Sequence, residues 1–317
     1  MAEMTTDKAL ESLLSSVRLD ATSKSYVPMI RNNFKEVEDK VPAEDRFVSS
    51  LAALLYNLDG DKAGGKFEKG KVLDLLSQVD GLINTQMNEI LHHPTFQSME
   101  SVWRGLDDLV QNTNFRANVA IDILDVEKDE LYQDFENNSS NVFGGALFEK
   151  IYIKEYDQYG GRPYGALIGQ YDFEQTPRDL FWLRNMAKLA NAAHAPFVGA
   201  VSPSFFVPGL KDVSEVAAIK DLDGLLNHPR YGRWREFRNS DEAAYIGLTF
   251  PRYVARLPWH PETNPCQRLN FVEESKGDSQ KYLWGNSCML FARNLVKSFE
   301  GSGWCQYIRG PKGGGSG

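Results

Sequence analysis

Residues 164–201, YGALIGQYDFEQTPRDLFWLRNMAKLANAAHAPFVGAV, decide the fold. They open with an apolar run of strand length at 164–170 and close with another, PFVGAV, at 196–201. Between them, residues 178–193 carry apolar side chains at helical spacing. A helix between two strands carries the chain back to the same end of a sheet, so this order points to parallel neighbours. Working outward, VAIDILDV at 119–126 and AYIGLTF at 244–250 read as two more strands, with helices expected at 127–135 and 213–226. A final helix is expected over 280–300, directing Leu283, Leu290, Leu295 and Phe299 at the core. The fold class is therefore α/β, a helical N-terminal region followed by a layered domain with a largely parallel or mixed sheet.

The N-terminal region reads differently. Leu10, Leu13, Leu14 and Val17 recur at helical spacing behind Thr5, Thr6 and Asp7, a short amphipathic helix of a length that is marginal alone in water. A polar break at 20–24 follows. Further helices are expected near Pro28 and Pro42, the latter with Phe47, Leu51, Leu54, Leu55 and Leu58 on one side. DKAGGK at 61–66 reads as a joint, and a long helix over 68–92 comes next. The expected division is a helical arm at 1–66, an α/β domain at 67–310 and a glycine-rich tail at 311–317.

Composition narrows the function. A net charge of −8 over 317 residues argues against a phosphate backbone as main partner, which would require clustered Lys and Arg. No run approaches the roughly 20 apolar residues of a membrane span, and no secretory leader pattern opens the chain. A cytoplasmic protein is expected, with Cys266, Cys288 and Cys305 as reduced, mostly buried thiols.

No arrangement of catalytic groups stands out. Glu89, His92 and His93 lack the spacing of a zinc protease, and the two histidines read as the end of a helix stopped by Pro94. Tyr159–Gly165 is glycine rich but precedes a strand, so it reads as a turn. His194 reads as a buried, hydrogen-bonded histidine at a helix end. Arg230, Arg233, Arg235 and Arg238 interleave with Tyr231, Trp234 and Phe237, which suits packing better than RNA stacking because Glu236, Asp241 and Glu242 sit among them.

Several blocks resemble one family. ILHHPTFQ at 90–97, then Met99-Glu100 and Trp103-Arg104-Gly105-Leu106, are similar to the signature of the TssC (VipB, EvpB) family, the large sheath subunits of type VI secretion systems. Matching segments follow in order at 148–165, at Met186–Lys188 and 192–197, at 245–252 and 255–258, at 264–265, at 282–286 and at 303–310. The signature positions so marked are His92, His93, Pro94, Phe96, Trp103, Arg104, Gly105, His194, Pro196, Pro251, Arg252, Arg256, Trp304 and Arg309, all expected to be structural, with Trp103 buried.

The resemblance implies an assembly protein with no enzymatic activity, cofactor or metal. Its implied partners are a small sheath subunit (TssB, VipA), copies of itself, an inner Hcp tube and the AAA+ ATPase ClpV, with neither nucleic acid nor membrane insertion. The ATPase would grip the N-terminal helix through Leu10, Leu13, Leu14, Val17, Arg18 and Leu19. Family members continue past the last block into a second domain, so the chain is expected to be an N-terminal piece or a short paralogue. The alternative reading is a soluble adaptor that binds sheath or ATPase components without entering a sheath.

Overall fold

A computed structural model of the chain describes residues 69–267 and 269–308, with side chains from residue 77. The expected N-terminal helices, the joint at 61–66, Arg309 and the tail lie outside these residues. The described residues fall into two compact units, one formed by those up to 93 together with 258–274, the other by 94–257 and the residues from 275 onward.

In the first unit, helix α1 (Lys69–Leu91) matches the helix expected at 68–92. Asn88 on α1 clips a returning segment by both ends of its amide: Nδ2 donates to Val272 O at 3.1 Å, and Oδ1 accepts from Glu274 N at 2.8 Å. Glu273 and Trp259 are joined by two further bonds, of 2.8 and 2.9 Å. Phe271 is completely buried beside them in the chain.

The second unit holds the α/β layers. Helix α2 (Pro94–Gln111) is followed by α3 (Lys128–Asn137). Strand β1 (Leu167–Phe173), helix α4 (Pro177–Ala192) and strand β2 (Phe197–Val201) then realise the strand, helix, strand reading. Thr176 caps α4 by accepting from Asp179 N, and Pro177 occupies the first helical position, where its missing N–H costs nothing. Short helices α5 (Val213–Ala217), α6 (Leu222–Asn227) and α7 (Gly232–Arg238) lead to strand β3 (Ile246–Thr249). The sheet order is β1-β2-β3, all parallel. Beyond it, β4 (Tyr253–Arg256) pairs antiparallel with β5 (Leu283–Gly285), and α8 (Ser287–Ser302) closes the unit.

Side-chain alternation along β2 separates two cores. Phe197 joins Phe173, Trp182, Leu183, Met186, Leu131 and Phe135 on the α3 and α4 side. Val198 joins Leu109, Cys288, Met289 and Ala292 on the α2 and α8 side. All five β2 residues are buried, as a strand covered on both faces requires.

Three sequence expectations need correction. Residues 119–126 do not pair as a strand. The helix expected at 213–226 is two helices, because Asp221 turns its side chain to accept from Gly224 N at 2.8 Å and starts a new one. The helix expected from residue 280 starts at Ser287. Asn286 caps it through Cys288 N, and the residues before it enter β5.

Candidate functional site

The signature around Trp103 lies on α2, and its geometry separates a docked face from an open one. The docked face centres on Gly105 and Leu109, both buried. Ser101 Oγ on the same side donates to Trp284 O at 2.7 Å. A Cβ on Gly105 would sit 3.0 Å from Gln170 Oε1 and 3.1 Å from Met289 Cγ, so glycine is what lets β1 and α8 approach α2 this closely.

Trp103, expected in the core, is 63% exposed. It stands two residues before Gly105, about 200° around a helix of 3.6 residues per turn, and so faces away from the docked side. Met99 and Val102 are exposed with it. Their spacing of three and four residues makes one apolar stripe on a helix. Trp103→Ala should therefore change unfolding stability by under about 0.5 kcal/mol, as surface substitutions do; a urea midpoint shifted by much more would place the indole in the core after all.

Next to this stripe, the α2 carboxylate Glu100 receives two guanidinium groups. Arg104 Nε lies 2.7 Å from Glu100 Oε1 one helical turn away, and Arg256 Nε from β4 lies 2.7 Å from the same oxygen. The Arg256 side chain is only 6% exposed. Burial pushes the Glu100 carboxyl up, but the hydrogen bonds and charges of Arg256 and Arg104 outweigh it, and the net shift is downward. Arg256 thus pins β4 onto α2, while Arg104 braces the same carboxylate from within the helix.

The other signature residues lie on several elements. Arg252, directly after the cis peptide Phe250–Pro251, pairs with Asp172 on β1. His92 follows the end of α1, its Nε2 3.5 Å from Glu273 Oε1. Pro94 opens α2, and Phe96 is half-buried. His194 is exposed, contrary to the expectation of burial: its φ of 51° turns the side chain outward at the end of α4, where Nδ1 lies 3.1 Å from Tyr245 Oη. The adjacent Pro196 and the distant Trp304 are also exposed.

Tyr231 and Phe237 are buried, and Arg184 pairs with Glu236 at 3.1 Å, in keeping with a packing role for the arginine-rich stretch. Of the three thiols only Cys288 is buried, whereas Cys305 is exposed, which corrects the expectation for the set. Burial pushes the Cys288 thiol up to about 12, so it stays protonated and unreactive. Among the described residues, no group of three His, Cys, Asp or Glu could hold a metal ion. A cavity of about 160 Å³ is lined by Lys128, Asp129, Tyr132, Arg178, Asp179 and Trp182. Its cations are already paired, Lys128 with Asp179 at 2.7 Å and Arg178 with Asp129 at 3.1 Å.

Sequence reasoning named Glu100 only as a signature residue and missed Asp172, the acids on which Arg256 and Arg252 close. The four-residue step from Glu100 to Arg104 was the available signal for the first. Nothing local marks the second, because its partner lies 80 positions away.

α2 thus carries a docked glycine face and, on its other side, an exposed apolar stripe. The VipB family, described as EvpB/VC_A0108, tail sheath N-terminal domain, matches residues 74–316. The chain belongs to this sheath family. A relative, the type VI secretion system sheath protein TssC1 of Pseudomonas aeruginosa, is 41% identical over 317 residues, covering 99% of this chain and 62% of the relative. This VipB-family chain therefore spans less than two thirds of that relative's length. No described helix is long and apolar enough to cross a membrane.

Proposed function

We propose that the chain is a structural, non-enzymatic subunit of a type VI secretion contractile sheath. The 41% identity to a sheath protein across nearly the whole chain carries this reading. The apolar stripe of Met99, Val102 and Trp103 supports it, since exposed apolar area of this kind is what a subunit contact covers. In this account the protein pairs with a small sheath subunit and with copies of itself around an Hcp-type inner tube, in the bacterial cytoplasm. A ClpV-type ATPase then takes the contracted sheath apart.

Deleting the gene and measuring release of the inner-tube protein into the medium tests the function. Release should stop and return on complementation. Undiminished release from the deletion strain would refute the role.

The ATPase contact is proposed at Leu10, Leu13, Leu14, Val17, Arg18 and Leu19. Groove recognition of an amphipathic helix reads such spaced apolar anchors. Leu14→Asp should abolish capture by ClpV in a pull-down and leave the melting temperature unchanged. A melting temperature lowered by many degrees would assign Leu14 to the core instead.

A further inference from the structure

We propose that residues 119–126 (VAIDILDV) are a strap that closes onto the outer edge of β1 as a fourth parallel strand. Two rows of backbone groups argue for it. None of these eight residues donates a backbone hydrogen bond to another described backbone carbonyl, and β1 pairs only with β2 among the described strands. Backbone groups outside any ladder form one when the chain brings them together, and an open sheet edge invites pairing.

The strap is already tethered along β1. Tyr171 Oη on β1 donates to Val126 O at 2.7 Å, and just past the strap Lys128, the first residue of α3, donates through Nζ to Asp172 O at 2.8 Å. Ile121 packs in the cluster that holds Ile168 of β1. The strap leads through α3 and the short helical turns at 142–153 to β1, and a helical crossover of this kind yields parallel neighbours.

The two faces also match. Ile121 belongs to the cluster on the α8 side, and Val126 to the one on the α4 side. In an alternating strand these two positions point to opposite faces, as their clusters require. Closure would therefore place Ile123 with Ile121 and Leu124 with Val126, covering side chains that are now 65% and 48% exposed. The closed strap would in turn become the sheet edge, with Asp122 and Asp125 as charges that discourage pairing with a further chain.

Residue-resolved amide hydrogen exchange on the intact chain tests the strap. A strand paired on one side only turns every second N–H toward its neighbour. Alternate amides of 119–126 should thus exchange at least about tenfold more slowly than those between them, the factor given by about 1.4 kcal/mol of closure. Ile123→Asp, at a side chain now exposed, should erase that alternation and leave β2 protection unchanged. Uniformly fast exchange, protection without alternation, or alternation that survives Ile123→Asp would each overturn the proposal.

Discussion

Trp182→Ala is expected to destabilise the chain by about 4 kcal/mol, within the range for deleting a large buried aromatic. The indole is 1% exposed and sits at the centre of four rings, with centroid distances of 5.6 Å to Phe135, 5.9 Å to Tyr171, 4.9 Å to Phe173 and 5.2 Å to Phe197. These rings belong to α3, β1 and β2, so the cavity would open where a helix layer meets the sheet. For a folded unit of this size the melting temperature should fall by about 10 °C. Nε1 finds no hydrogen-bond partner among the described residues, so Trp182→Phe sacrifices volume alone and should cost less than half as much. Equal melting temperatures for wild type and Trp182→Ala would contradict the packing described above. Trp103→Ala, at the exposed tryptophan, is the internal control.

Glu100→Gln is expected to cost about 3 kcal/mol, because it takes a carboxylate away from a guanidinium held almost out of water. Its pH dependence has a definite sign. The folded-state pKa lies below the ordinary 4.5, so the stabilisation is fully present above that value and is lost as pH falls through the lower, folded one. Urea midpoints of wild type and Glu100→Gln should differ most at neutral pH and converge as pH drops below about 4.5. A difference independent of pH would mean that the side chain acts through packing rather than charge.

The sheet was legible in the sequence because its central strand β2 is apolar on both faces and the strand-length runs alternate with helices that have clear starts, such as Thr176-Pro177 ahead of α4. Its edges were less so. β1 lies three residues later than the apolar run suggested, since Tyr171 and Phe173 extend the strand past the polar Gln170. β4 and β5 are four and three residues long, too short for periodicity to show, and they are held by Arg256 reaching an acid 156 positions away.

The misreading of Trp103 has a specific cause. Apolar spacing treats tryptophan as a core residue and glycine as silent, whereas α2 docks through Gly105, where the absence of a side chain is the contact. His194 misled for a related reason: its surroundings in sequence are apolar, but the left-handed backbone at a helix end turns it outward. The family was legible because its blocks run in order along the chain. The charge partners of those blocks were not, because they are set by the fold.

Sedimentation velocity of the chain co-expressed with the small sheath subunit of the same system tests the central claim most directly. A stoichiometric complex, weakened by Trp103→Asp at the exposed stripe, is the result expected of a sheath subunit. A chain that sediments as a monomer, with the small subunit remaining separate, would contradict it.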